Sequence, residues 1–340
     1  MKYVKWFSLI AAFFLMGCAN QGNSSNSWAY PPMAIPLQPS IQQEVQIARL
    51  NQLLTRKDVT QNVRAQMFAE RGRFLDSVGL ADLARLDYER SLKLNPAQSE
   101  VFNVLGVYFT QMSDYDSAFD AFDSSLELDP NNQYAERNRA IALYYAGRNP
   151  LALQDMTSNY EKDTSDPYRA LWLYYIQRED NAEQATADLK QRYQQKDEQW
   201  GWDLVGMTLG ELSENEVLES VAMTTQNNVE LAQKLTEVYF YLAKNYQYKG
   251  DYSNAIALYK LSISLNVYEF SEHRYAFLEL GRIFKSIQAE RAEEAQKDNQ
   301  GEDSQDQDNK ANEIQEGEPT PQQESNNQPL QTYQAPKLSA

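Results

Sequence analysis

One cysteine and one histidine are all that 340 residues contain of either type. Cys18 has no second thiol to pair with. An intrachain disulfide, a CxxC redox pair, a structural zinc site and a cysteine nucleophile in the body of the chain are therefore excluded. A lone His273 likewise removes HExxH and multi-histidine metal centres. Basic charge is scarce too. Against 48 Asp and Glu stand 31 Lys and Arg, a formal net charge of -17, and that field repels phosphate backbones and anionic lipid, so nucleic acid is a poor partner. From 288 to 340 there are 12 acidic and 4 basic residues, which puts about half of the excess in a short tail and leaves the rest only moderately acidic. After the first twenty residues no apolar run reaches the roughly 18 residues of a membrane-spanning helix. What remains, 42% hydrophobic and 23% charged, is the composition of a folded chain.

The first residues read as an export signal. Lys2 and Lys5 give a positive start, and Trp6 to Met16 is apolar apart from Ser8, too short for an ordinary span and right for a signal core. The stretch closes on Leu15, Met16, Gly17 and Cys18, which resembles a lipobox: a small residue before a cysteine that takes lipid and becomes the new N-terminus. Residues 1–17 are expected to be a cleaved lipoprotein signal. Cys18 is then the lipidation site, and the covalent lipid is the only attached group expected, with no cofactor and no metal. Several acyl chains exceed what stable anchoring needs. Ala19 follows where an Asp would resemble an inner-membrane retention signal, so the outer membrane is favoured, with the body in the periplasm. Residues 18–39, with Pro31, Pro32, Pro36 and Pro39 among Asn, Ser and Gln, read as a flexible, semi-extended tether.

Beyond the tether the apolar period is helical. Ser40 with Gln43 three residues later forms a capping box for the first helix. The pairs Asn95-Pro96 and Asp129-Pro130 then lie 34 residues apart, a repeat length. In register with them stand Phe68, Gly72, Leu75, Gly79, Ala84, Tyr88 and Ser91, then Phe102, Leu105, Gly106, Phe109, Ala118, Phe122 and Ser125. Small Gly72 and Gly106 let two antiparallel helices approach, Ala84 and Ala118 do the same from the partner helix, and Tyr88 and Phe122 fill the gap between units. A third unit carries Ala140, Leu143, Gly147, Ala152 and Met156 with Thr164 in place of the proline. The period returns at Tyr239, Leu242, Ala243, Tyr246, Gly250, Ala255, Tyr259 and Ser262. These are tetratricopeptide repeat positions. The expected fold is all-α: a solenoid of helical hairpins over 40–287, with repeats near 65–98, 99–132, 133–166, a divergent 167–200, and 236–269, plus N-terminal and connecting helices and a cap from about Ser271 to Ile287. Residues 288–340, acidic and rich in Gln and Asn, cannot bury enough apolar surface to offset ordering entropy and are expected to be disordered.

Several segments together resemble the NlpI family of outer-membrane tetratricopeptide lipoproteins: Pro36 to Pro39 with Gln42-Gln43-Glu44, the second repeat through Leu128-Asp129-Pro130, Ile141 to Tyr145, Gln199 to Trp202, and Glu272 to Ala276. The likeness runs from Met1 to about Leu280, and the long acidic tail departs from it. The resemblance implies a homodimeric, non-enzymatic scaffold. It would bring murein hydrolases, notably an endopeptidase, to a periplasmic C-terminal-processing protease and so limit peptidoglycan cleavage in growth and division. A structural assembly factor of an outer-membrane machine is the alternative.

In solenoids of this kind the concave face, built from first helices, holds peptides. The register places Arg73, Asp76, Asn103, Tyr134, Arg137, Tyr144, Tyr145 and Tyr248 there, although aromatic stripes at helical spacing are as often core. Arg137 and Asn103 suit carboxylates and extended backbones. Ser271, Glu272 and His273 diverge in direction on one helix and no GxSxG is present, so a structural histidine is expected. Asp114 with Asp116, and Glu302, Asp303, Asp306 and Asp308, could touch calcium weakly but lack the EF-hand glycine, and read as solvated charge. Trp200 and Trp202 could stack on a glycan, with buried packing the simpler reading.

Overall fold

A computed structural model describes the backbone over 32–315 and side chains over 32–293. The signal, Cys18 and the first part of the expected tether lie outside the described residues, as do 316–340. Among the described residues there are fourteen α-helices and no strand. The chain divides into two units, Met1–Phe284 and Lys285–Ala340.

In the first unit, α1 (Ile41–Leu54) opens on Ser40, whose hydroxyl accepts from the Gln43 amide while the Gln43 side chain returns to the Ser40 backbone, satisfying two orphan donors at once. Antiparallel pairs follow: α2 (Gln61–Ser77) with α3 (Ala81–Leu94), α4 (Ser99–Gln111) with α5 (Tyr115–Leu128), α6 (Gln133–Tyr145) with α7 (Asn149–Lys162), and α8 (Pro167–Asp180) with α9 (Ala182–Tyr193). Two short helices, α10 (Gly201–Leu209) and α11 (Glu214–Thr224), lead to the long α12 (Asn228–Tyr248), which pairs with α13 (Tyr252–Ser264). Helices α3 and α5 end one residue before Asn95-Pro96 and Asp129-Pro130, since a residue preceding proline is pushed out of the helical region.

What makes each pair a repeat is visible in its buried atoms. An added Cβ at Gly72 would lie 2.7 Å from the Tyr88 ring, and at Gly106 2.5 Å from the Phe122 ring. Each aromatic thus rests on the glycine of its own hairpin, and Phe122 also belongs to a cluster with Ala135 and Ala142 of the next unit. A polar position repeats as well. The Ser91, Ser125 and Ser262 hydroxyls donate to the carbonyls of Ala65, Ser99 and Thr236 at 2.7, 2.9 and 2.9 Å. In the third unit, which lacks the proline, the Asn159 amide reaches the Gln133 carbonyl at 2.8 Å. Each bond ties the end of a second helix to the start of its first, a buried closure that the hairpin needs because unsatisfied polar atoms there are costly.

The stretch before α1 is extended, as its prolines dictate, but it is held. Ile35 exchanges both backbone groups with the Asn228 side chain at 2.8 Å each. The Leu37 amide donates to the Leu265 carbonyl at 3.0 Å, and Asn266 reaches the Leu37 carbonyl at 3.1 Å. Tyr239 donates to the Pro32 carbonyl. Composition made this segment look like free linker. Three polar side chains more than 190 positions away in sequence fix it instead.

The final helix α14 (Ser271–Gln315) begins in the first unit and runs past the Ile287 limit expected for a cap. In the second unit it is helical backbone to Gln315. No described helix is long and apolar enough to cross a membrane.

The glycines give a paired stability test. Gly106→Ala must displace the Phe122 ring, and overpacking of this kind costs about 1–3 kcal/mol. Gly281, on an exposed turn of α14 with open space where a Cβ would stand, should tolerate Gly281→Ala with a gain of about 0.5–1 kcal/mol. Urea unfolding followed by circular dichroism should show midpoints moving in opposite directions.

Candidate functional site

The first helices of the hairpins converge on α14. From α2, Asp76 pairs with Arg274 at 2.7 Å. From α6, the Tyr145 hydroxyl donates to Glu279 at 3.0 Å, and Tyr144 accepts from Arg282. From α8, Glu179 takes the other arm of Arg282 at 3.3 Å, and Trp172 meets Tyr275 edge-on. From α12, Tyr241 donates to Glu272 at 2.9 Å and Lys244 to Glu279 at 2.5 Å. The inner face of the solenoid is therefore occupied by the chain's own residues 271–284.

At its centre lies a charged pair out of contact with water: Lys244 is 1% exposed and Glu279 0%. Rings surround the ammonium, with Tyr175 4.7 Å, Tyr144 5.4 Å, Tyr248 5.6 Å, Trp172 5.7 Å and Phe240 5.9 Å away by centroid. Gln247 donates to the second Glu279 oxygen at 3.0 Å. Burial pushes the Lys244 ammonium below its usual range, opposed by the Glu279 charge. Burial pushes the Glu279 carboxyl up, and Lys244 and Arg282 overcome it, so the group is held below the ordinary carboxylate range.

The residues assigned to the groove separate into four groups. Tyr144 is 3% exposed and its hydroxyl lies 3.1 Å from that of Tyr248. Tyr145 is committed to Glu279, and Tyr248 donates to Glu179 at 3.3 Å beneath the Arg178 guanidinium. These three tyrosines pack against α14 and its neighbours. Asn103 is buried and accepts from Asn138 at 3.0 Å. On the open surface are Tyr134, 62% exposed, Arg137 stacked over the Tyr134 ring and 3.9 Å from Asp166, and Arg73, paired with Glu70 at 2.7 Å. Asp76 holds Arg274.

Trp202 is 2% exposed, and Trp200 donates its indole N–H to Glu237 at 2.7 Å. His273 is buried between Tyr268 and Phe277. Burial, with Arg274 beside it, pushes its imidazole down to about 4, so it is neutral across physiological pH. Asp114 caps α5 through the Ser117 amide. Among the described residues no group of three or more His, Cys, Asp and Glu is placed to hold a metal ion. The tail carboxylates Glu302, Asp303, Asp306 and Asp308 lie where side chains are not described.

Register alone did not find Lys244, Glu279 and Arg282, whose partners on other helices are 32 to 138 residues distant. A signal was present: Glu272, Arg274, Glu279 and Arg282 share α14 with Tyr275, Ala276, Leu278 and Ile283, and charge threaded through an apolar stripe means buried pairing.

With that geometry in place, comparison shows what the chain is similar to. The Tetratricopeptide repeat family matches residues 99–132 and 236–266, which are the α4–α5 hairpin and most of the α12–α13 hairpin. Among solved structures, Pseudomonas aeruginosa pilF is similar at 14% identity, over 73% of this chain and 90% of its own, with a TM-score of 0.39. A tetratricopeptide repeat protein from Parabacteroides merdae is similar at 13% identity, over 70% and 90%, with a TM-score of 0.45. PilW, a widely conserved type IV pilus biogenesis factor, is similar at 13% identity, over 69% and 98%, with a TM-score of 0.37. The chain carries tetratricopeptide repeats in an all-helical solenoid, a scaffold of the kind that binds proteins.

Removing one member of the central pair should be far worse than removing both. Lys244→Met leaves the buried Glu279 carboxylate with only Arg282, at 3.7 Å, as a cation, at a cost of about 3–5 kcal/mol, whereas Lys244→Met with Glu279→Leu should recover a large part of that loss. Thermal unfolding of the three proteins checks it, and a double variant no more stable than the single one contradicts the pairing.

Proposed function

We propose that this protein is an adaptor of the NlpI type, anchored in the outer membrane through lipid on Cys18. Its body would stand in the periplasm as a homodimer and present murein endopeptidases to a C-terminal-processing protease, limiting peptidoglycan cleavage. The observation that carries the adaptor reading is the stack of helical hairpins whose first helices leave Arg73, and the stacked pair Tyr134 and Arg137, at the surface. Such surfaces bind through a few aromatic and arginine anchors surrounded by contacts of little energy. The client classes and the membrane rest on the sequence resemblance and on Leu15 to Cys18.

Binding is the decisive measurement. Arg73→Glu with Tyr134→Ala and Arg137→Glu touches exposed or half-exposed side chains, so helicity should be unchanged. Affinity for a murein endopeptidase or a processing protease should fall on the order of a hundredfold, about 2.7 kcal/mol, because a reversed charge repels as well as failing to pair. Calorimetry on wild type and variant checks this. A wild-type protein that binds neither enzyme, but recovers outer-membrane machine subunits from crosslinked envelope, supports the assembly-factor alternative instead.

Anchoring is separately testable. Cys18→Ala should move the protein from the membrane pellet to the soluble fraction in high salt, and continued pelleting contradicts the lipid anchor.

A further inference from the structure

Between α6, α8, α12 and the start of α14 lies a cavity of about 240 Å³, lined by Arg137, Tyr168, Trp172, Glu237, Glu269 and Glu272 among others. Two of its carboxylates are deeply buried, Glu237 at 8% and Glu272 at 5% exposure. Both are hydrogen-bonded. Tyr168 donates to one Glu237 oxygen at 2.8 Å and Trp200 to the other at 2.7 Å. Tyr241 donates to one Glu272 oxygen at 2.9 Å and Ser271 to the other at 3.1 Å. Neither is in an ion pair among the described residues, in contrast to Glu279, which has Lys244. Lys234, the cation whose charge reaches Glu237, is paired with Glu230 and lies over the Trp200 ring. Each carboxylate has about four lone-pair sites, so acceptor capacity is left over on both. A third polar atom nearby is unused. The Tyr275 hydroxyl is buried and makes no hydrogen bond. The charges of Arg274, Arg137 and Glu272 reach it, and its ring packs edge-on against Trp172.

Two buried acids with no ion-pair partner among the described residues, walls of Trp172 and Tyr168, and an orphaned hydroxyl behind the Trp172 wall form an incomplete electrostatic arrangement, even with Arg137 on the lining. We propose that this cavity binds a primary ammonium group at the end of a flexible chain, of the lysine side-chain type. Its three N–H donors match the surplus acceptors, and the aromatic walls attract a cation. This goes beyond the adaptor reading and does not depend on which proteins are bound. The lysine-type group can belong to a protein partner or to a free diamine or diamino acid. The chemistry is shared, and the probes below separate the two sources.

Burial, then the neighbouring Glu272 charge, pushes the Glu237 carboxyl up to about 8. It is mostly protonated at pH 7. An arriving ammonium favours the ionised form, so binding at pH 7 releases a proton and tightens as pH rises toward 8. The charged and titratable groups that share the cavity with Glu237 are Glu272 on α14, Glu269 just ahead of it, Tyr168 on α8 and Arg137 on α6, with Trp200 ahead of α10 and Lys234 on α12 beside it. Of these, Tyr168 is pushed far above its ordinary range by burial.

The test is calorimetry on the full chain with Nα-acetyl-lysine methylamide, free lysine and cadaverine, each against the uncharged analogue Nα-acetyl-norleucine methylamide. At least one amine should bind ten times more tightly than the norleucine analogue, with an enthalpy that depends on buffer ionisation at pH 7. Preference for the blocked lysine assigns the site to a protein side chain, and preference for free lysine or cadaverine assigns it to a small solute. Glu237→Gln with Glu272→Gln should weaken that binding at least tenfold. Amines binding no better than norleucine on the wild-type protein, a comparison that needs no variant to fold, overturns the proposal. So does unchanged amine affinity in a folded double variant.

Discussion

Lys244 and Glu279 meet at 2.5 Å with almost no exposed surface between them, and the placement of α14 in the first unit follows from that contact. Taking two ions out of water costs several kcal/mol each, and their attraction repays it only when the geometry is good and the remaining hydrogen-bonding sites are filled. Here Tyr145 and Gln247 fill the carboxylate and five rings face the ammonium. Turning α14 by one residue would swing Glu279 by about 100° and leave a bare ammonium inside an aromatic shell. The pair therefore fixes the register of α14 against α12. From that register follow Arg282 on Tyr144 and Glu179, Arg274 on Asp76, and Glu272 beside Tyr241.

The repeats were legible because each unit solves the same packing problem with the same residues. Gly72 and Gly106 yield to Tyr88 and Phe122, and the serines at 91, 125 and 262 close their hairpins on a carbonyl 26 residues back. A periodic requirement leaves a periodic trace. Docking of α14 and of the segment before α1 occurs once each, so it leaves no period. Asn228 on the backbone of Ile35 reads in sequence as an asparagine near a helix start, and proline-rich Pro32 to Pro39 reads as linker. The tyrosines were ambiguous for a related reason. Inner positions of first helices face a groove or a core depending on whether anything fills it, and the filler is 126 residues beyond Tyr145 at its nearest, Ser271.

Two kinds of buried polar group result, and they differ in what they need. The serine and asparagine closures of the repeats are neutral, each on a backbone carbonyl. The one deeply buried carboxylate of the first repeat, Asp87, pairs with Arg71 at 2.5 Å, so both kinds are complete within one hairpin. Those against α14 are charged and belong to the unit as a whole. Glu279 has its cation within the chain, whereas Glu237 and Glu272 have only neutral donors. Burial pushes the Glu237 carboxyl up. Two acids on a cavity rather than in packed core, however, can still be reached from outside.

Charge over the whole chain bears on what reaches them. The net -9 carried by residues 1–287 repels polyanions, and a concave region walled by low-dielectric protein concentrates a field of one sign. The field that speaks against nucleic acid therefore draws cationic groups toward the inner face. With the tyrosines of that face packed against α14, Arg137 is the basic residue lining the cavity, and Asp166 partly offsets it at 3.9 Å. A partner that approaches this side meets Tyr134 and Arg137 at the surface and acids behind them.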